Sequence, residues 1–188
     1  MQLTDLFTKE EWDKVLGVYK TVLGIAPITF DAMGTVINTP VFTCEACRLI
    51  KGTQEGARRC SASQGQMVAK TKVVKAAIVE ECHAGFTKVV IPIFYGEEFL
   101  GVTGGCNIFR ENQVPQEAFY LKLAKELGID SRRLWEGVQG ARFVTDKIIE
   151  QQIMTLQMKL SARLKKIEIQ QRKVNSSFDP SVFPGLPK

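Results

Sequence analysis

The sequence predicts an α+β domain, an antiparallel sheet flanked by helices, followed by a long C-terminal amphipathic helix. Three observations carry this expectation. Three strand signals follow one another in the middle of the chain, the last two at hairpin distance. Helical segments with recognisable caps lie on either side of them. From Val144 to about Val174 no Pro or Gly occurs, so nothing interrupts a helix there.

Taken in order, Thr8-Lys9-Glu10-Glu11 has the capping-box pattern, with Thr8 as N-cap and Glu11 reaching back. The helix that follows presents Trp12, Val15, Leu16, Tyr19, Val22 and Leu23 on one face, and Gly24 stops it. Ile28 to Ile37 reads as a β-hairpin that turns at Gly34. Phe42 to Lys70 is helical and irregular, with Gly52, Gly56 and Gly65 as breaks and Thr53 as a cap. Strands are expected at Ala76 to Glu80, Phe86 to Tyr95 and Phe99 to Phe109, the last two joined by Gly96-Glu97-Glu98. Helices follow at Pro115 to Leu127 and Ser131 to Val138. In the last helix Ile149, Ile153, Leu156, Leu160 and Ile167 alternate at spacings of four and three, with one step missing at Arg163. Such a seam suits a homodimeric coiled coil, or a helix laid back on the domain's own sheet. The expected organisation is a domain over 1–140, a signalling or dimerisation helix over 141–175 and a flexible tail over 176–188.

Hydrophobic residues make up 45% of the 188 and charged residues 24%, which excludes a wholly disordered or collagen-like chain. The longest apolar runs, such as Val89 to Tyr95, are strand-sized, so no membrane span is expected. The N-terminus lacks a basic start followed by an apolar stretch, which predicts a cytoplasmic protein. The net charge is +5. Lys159, Arg163, Lys165, Lys166, Arg172 and Lys173, against Glu168 alone, account for the whole excess. We read this segment as the solvated face of a helix rather than a nucleic-acid surface.

Five cysteines stand at Cys44, Cys47, Cys60, Cys82 and Cys106. An odd number in a chain without a secretory signal argues against a disulfide framework. Cys44-Glu45-Ala46-Cys47 can place two thiolates on one side of a turn, where a single metal ion could bind both. Cys60 and Cys82 would complete a four-thiolate set suited to an iron–sulfur cluster or to zinc, with Cys106 as a substitute ligand. The spacings match no compact zinc module, and Arg48 stands where a c-type haem motif needs histidine. His83 is the only histidine, and no acid, serine or lysine is visibly arranged with it for catalysis. Gly104-Gly105 inside a strand signals a bulge or a ligand packed against bare backbone. GxGxxG and P-loop patterns are absent, so a nucleotide site has no support.

Phe42 to Cys60, then Cys82-His83-Ala84-Gly85-Phe86, Ile91-Pro92-Ile93, Gly101 and Gly104-Gly105 together resemble the PocR-type sensory domain. This is a divergent PAS-like module of bacterial and archaeal regulators and histidine kinases, and the resemblance runs over roughly Leu6 to Arg110. It implies a PAS-like antiparallel sheet flanked by helices, and a role in sensing small molecules such as diols and hydrocarbon derivatives. Cys47, Arg48, Gly56, Cys60, Cys82, His83, Gly85, Pro92 and Gly105 match the family pattern. Cys44 is additional, and Cys106 stands where the family usually has glutamine. Both departures add a thiol and point toward a metal, cluster or redox-responsive site.

The expectation is therefore a non-catalytic sensory domain in signal transduction. It would bind a small molecule or a cysteine-ligated centre (Cys44, Cys47, Cys60, Cys82, Cys106) and relay its state through the C-terminal helix to a regulatory protein. A metal-free ligand would instead be held by His83, Arg48 and the Gly104-Gly105 backbone. A thiol or cluster redox protein is the enzymatic alternative.

Overall fold

The computed structural model describes residues 1–39 and 44–177, with side chains as far as 173. Phe42 of the quoted motif and the tail from 178 lie outside the described residues. The elements in order are α1 (Leu3–Leu6), α2 (Lys9–Leu23), β1 (Ile28–Asp31), α3 (Glu45–Lys51), α4 (Gln54–Val74), β2 (Ile78–Glu81), β3 (Thr87–Tyr95), β4 (Glu98–Arg110), α5 (Glu117–Leu127), α6 (Ser131–Gln139), β5 (Arg142–Val144) and α7 (Asp146–Ser177). The architecture is α+β, as expected. Among the described residues no helix is long and apolar enough to cross a membrane.

Local chemistry explains most boundaries. Thr8 Oγ1 accepts from the Glu11 amide at 3.2 Å and Glu11 accepts from the Thr8 amide at 2.9 Å, the reciprocal box that starts α2. Gly24, at φ 69°, ends that helix in the left-handed conformation a side chain would resist. The hairpin is present in abbreviated form. Asp31 accepts from the Met33 and Thr35 amides to shape the turn, and among the described residues the returning arm makes one bridge, Phe30 to Val36. Thr53 caps α4 by accepting from Gly56. Gly65, expected as a break, lies inside α4 with open space around it. A lone glycine costs a helix about 1 kcal/mol, too little to interrupt one of 21 residues.

The sheet runs β2-β3-β4-β1 with every neighbour antiparallel. β5, too short to signal itself in the sequence, pairs in parallel with the end of β4, Ile108 opposite Arg142. The C-terminal helix therefore begins at Asp146, two residues beyond the expected Val144. Pro92 is accommodated in β3 because β2 has already ended at Ile78, opposite Val90.

One face of the sheet carries Val89, Ile91, Ile93 and Ile108 and packs against Leu6, Trp12, Leu16 and Leu23 of the first two helices. Ile149, Leu156 and Leu160 of α7 are buried in this same core. Of the two uses the seam offered, its inner residues serve the packing of the helix on its own domain. The missing heptad step also acquires a reason. The Arg163 guanidinium donates to the Leu6 carbonyl at the end of α1 and lies 5.5 Å from the centre of the Phe7 ring. The opposite face carries Val90 and Val102 beneath α4, and the α3, α5 and α6 cluster adjoins it.

Candidate functional site

Between this second face and the cysteine-bearing helices lies a cavity of about 790 Å³. Pockets of this size bury a small organic ligand almost completely. All five cysteines line it, together with His83 and Lys88.

Each wall has a local cause. Cys44 is the N-cap of α3 and Cys47 follows one turn later, so both sulfurs lie on one side of that helix. Cys60 comes from α4. Cys82 and His83 occupy the tight turn between β2 and β3, closed by the Gly85 amide donating to the Cys82 carbonyl at 2.9 Å. Gly85 is at φ 76°, and a Cβ there would meet the Tyr120 hydroxyl at 3.0 Å, so its close approach is to α5. Between Thr87/Ile108 and Val89/Gly105 the β3–β4 register slips by one residue. Lys88 consequently faces a bulge formed by Cys106 and Asn107, with Asn107 at φ 77°. The bulge expected from the paired glycines is thus present just beyond them, and it presents Cys106 to the cavity. Asn107 is fixed from behind by donating to the Gly24 carbonyl and accepting from the Ala26 amide.

The thiols fall into two groups. Cys47 hydrogen-bonds toward both Cys106 and Cys44. The Cys47 thiol together with the Lys88 and Lys51 ammoniums outweighs burial and draws Cys106 down to about 6. Cys44 is lowered to about 7, chiefly by Cys47, whereas Cys47 as donor is pushed well above its ordinary value. On the other side, Cys60 Sγ lies 3.0 Å from His83 Nε2. Burial raises Cys60, which keeps its thiol protonated beside the ring. The other ring nitrogen of His83, Nδ1, is buried without a partner. Burial first, then Arg59 and Lys88, lower the pKa of His83. Cys82, apart from both groups, is pushed up to about 11 by burial. Among the described residues no three His, Cys, Asp or Glu side chains are gathered closely enough to hold a metal ion.

Of the residues expected at a ligand, His83 and Gly105 line the cavity. Arg48 does not: it is exposed and held by Glu45 through both Nε and Nη2, on the outer side of α3. Gly104 also serves another purpose, since a Cβ there would fall 2.0 Å from the Val89 carbonyl oxygen of the neighbouring strand. Lys88 and Asn107 were not anticipated. Lys88 had a legible signal, a lone charge inside the apolar run Phe86 to Ile93. Asn107 had none, because its role follows from the bulge.

Compared with known proteins, residues 5–168 match a family model described as "Sensory domain found in PocR". No curated protein and no solved structure matches the chain.

Proposed function

The chain belongs to the family of PocR sensory domains, and on that premise we propose that it senses a small organic molecule held in the cavity between the sheet and α3–α4. The sensory role follows from the family. The observation that supports this site is the cavity itself, large enough for such a ligand and furnished with few polar groups. Its chemistry is that of binding rather than turnover: burial raises the Cys60 thiol and lowers His83 beside it, the reverse of an activated thiolate–imidazolium pair. The five free thiols suit a reducing, cytoplasmic setting.

A route for the relay follows from connectivity. Gly105, Cys106 and Asn107 line the cavity, and the next residues of the same strand, Ile108 to Arg110, pair with β5, which leads directly into α7. Arg110 also pairs with Asp146 in the first turn of α7 at 3.2 Å. A homodimer through this helix would be built on its outward side, where Met154 and Met158 are exposed, because the inner side is occupied. The test is thermal unfolding of wild type and His83→Ala with a panel of small diols, alcohols and carboxylates. A ligand should raise the wild-type midpoint, and the variant should lose that shift while its ligand-free unfolding is retained. If no member shifts the wild type, or if the shift survives in His83→Ala, the assignment fails.

A second reading rests on the convergence of all five cysteines on one cavity. Cys44, Cys47, Cys60 and Cys82, with Cys106 in reserve, would hold an iron–sulfur cluster or zinc. The thiols would have to close together, since they are gathered as a pair of groups rather than a set of four. The spectrum of protein prepared without oxygen decides this. Visible absorption that bleaches on reduction supports the cluster, bound zinc supports the ion, and a colourless, metal-free protein removes both.

A further inference from the structure

The polar groups of the cavity wall are mismatched in kind. Lys88 is 7% exposed and, among the described residues, makes no hydrogen bond and no ion pair. A buried cation without a partner is costly enough that proteins almost always supply one. The acids nearby are committed elsewhere. Glu80, directly across the β2–β3 ladder, pairs with Lys70 on α4. Asp31 is the one carboxylate lining the cavity among the described residues, and it accepts from the Met33 and Thr35 amides. The other wall group without a partner is the buried Nδ1 of His83, whose Nε2 is occupied by Cys60. The wall therefore holds a buried, charged donor, the Lys88 ammonium, to which none of its acceptors (Ser61, Ser63, Gln64 or Asn107) is hydrogen-bonded among the described residues. Lys51 adds a further positive charge at the lining.

We infer that the ligand of this cavity is a small organic anion, its carboxylate accepting from the Lys88 ammonium and its apolar remainder lying against Val68 and Val102. This rests on the small-molecule reading of the cavity and narrows it to one chemical class. A carboxylate supplies several acceptor sites, and charge-assisted bonds are the strong ones. A neutral diol would bring the Lys88 ammonium no counter-charge. The wall itself contains one rival counter-charge, the Cys106 sulfur, which faces Lys88 across the bulge.

The test uses the full chain and matched probes at constant ionic strength: propionate, butyrate and benzoate, each against its amide and its alcohol. Carboxylates should bind by calorimetry and raise the unfolding midpoint, with the neutral counterparts at least tenfold weaker. Lys88→Met, which keeps the length of the side chain without its charge, should lose at least tenfold in carboxylate affinity. If that variant does not fold, the wild-type selectivity between acid and amide still decides. Equal binding of acids and neutral analogues would overturn the inference and leave the small-molecule reading standing, with Cys106 as the partner of Lys88. No binding by any probe would count against both.

Discussion

Cys106 shows how much a single position in the wall determines. Its thiol receives a hydrogen bond from Cys47 and lies in the field of Lys88 and Lys51, which together hold it near 6 against about 8.5 in an unfolded chain. A group whose folded pKa is depressed binds fewer protons folded than unfolded across that window. Its contribution to stability is therefore complete above about pH 8.5 and disappears as pH falls through about 6. Denaturant titrations should show stability rising between those limits, with at most about 3 kcal/mol of the rise due to Cys106. Cys106→Ser should flatten the part of this slope that does not belong to Cys44. An unchanged slope in the variant would mean that Cys106 is an ordinary thiol.

At the level of elements, α7 is tied to the start of the chain by Arg163. That side chain closes the end of α1, covers the Phe7 ring and approaches Glu11 at 3.8 Å. Arg163→Ala should cost about 1 kcal/mol in denaturant unfolding, with the ligand response unchanged; no loss of stability would make the contact incidental. The same residue illustrates what was legible in the sequence. Caps, hairpin turns and the long strands were readable because they depend on neighbours in sequence: Thr8 on Glu11, Thr53 on Gly56, β3 on β4 across Gly96. The break in the heptad at Arg163 was visible too, but its cause is a carbonyl 157 residues away. β5 has three residues and forms only because β4 offers an unfilled edge. In the site, the five cysteines and His83 stood out by residue type. Their division into Cys44–Cys47–Cys106 and Cys60–His83 depended on a one-residue register slip that no local pattern encodes. For Arg48, resemblance to a family pattern predicted a ligand contact where local charge instead supplies a helix-surface pair with Glu45.

At the scale of the molecule, the sheet separates two jobs. One face encloses a cavity and the other is solidly packed by α1, α2 and α7. The last helix is consequently part of the core and not an appendage. Ile149, Leu156 and Leu160 bury about 1.5–3 kcal/mol each, on the order of 6 kcal/mol together. That is comparable with the whole stability of an ordinary domain, about 5–15 kcal/mol. A chain ending at Thr145 should lose cooperative thermal unfolding, and a sharp transition near the full-length midpoint would show that the helix is dispensable. The match of the family model as far as residue 168 fits the same view.

The closure of this core by its final helix also has a consequence for biosynthesis. Leu3, Leu6 and Trp12 leave the ribosome well before the residues of α7 that share their core. Until the segment around Leu160 and Arg163 emerges, the part of this core that α7 covers stays open to solvent, although the sheet beneath it is already synthesised. The core is completed only when α7 has been released, and a translation product interrupted before it becomes a substrate for chaperones and proteases instead of a partial sensor.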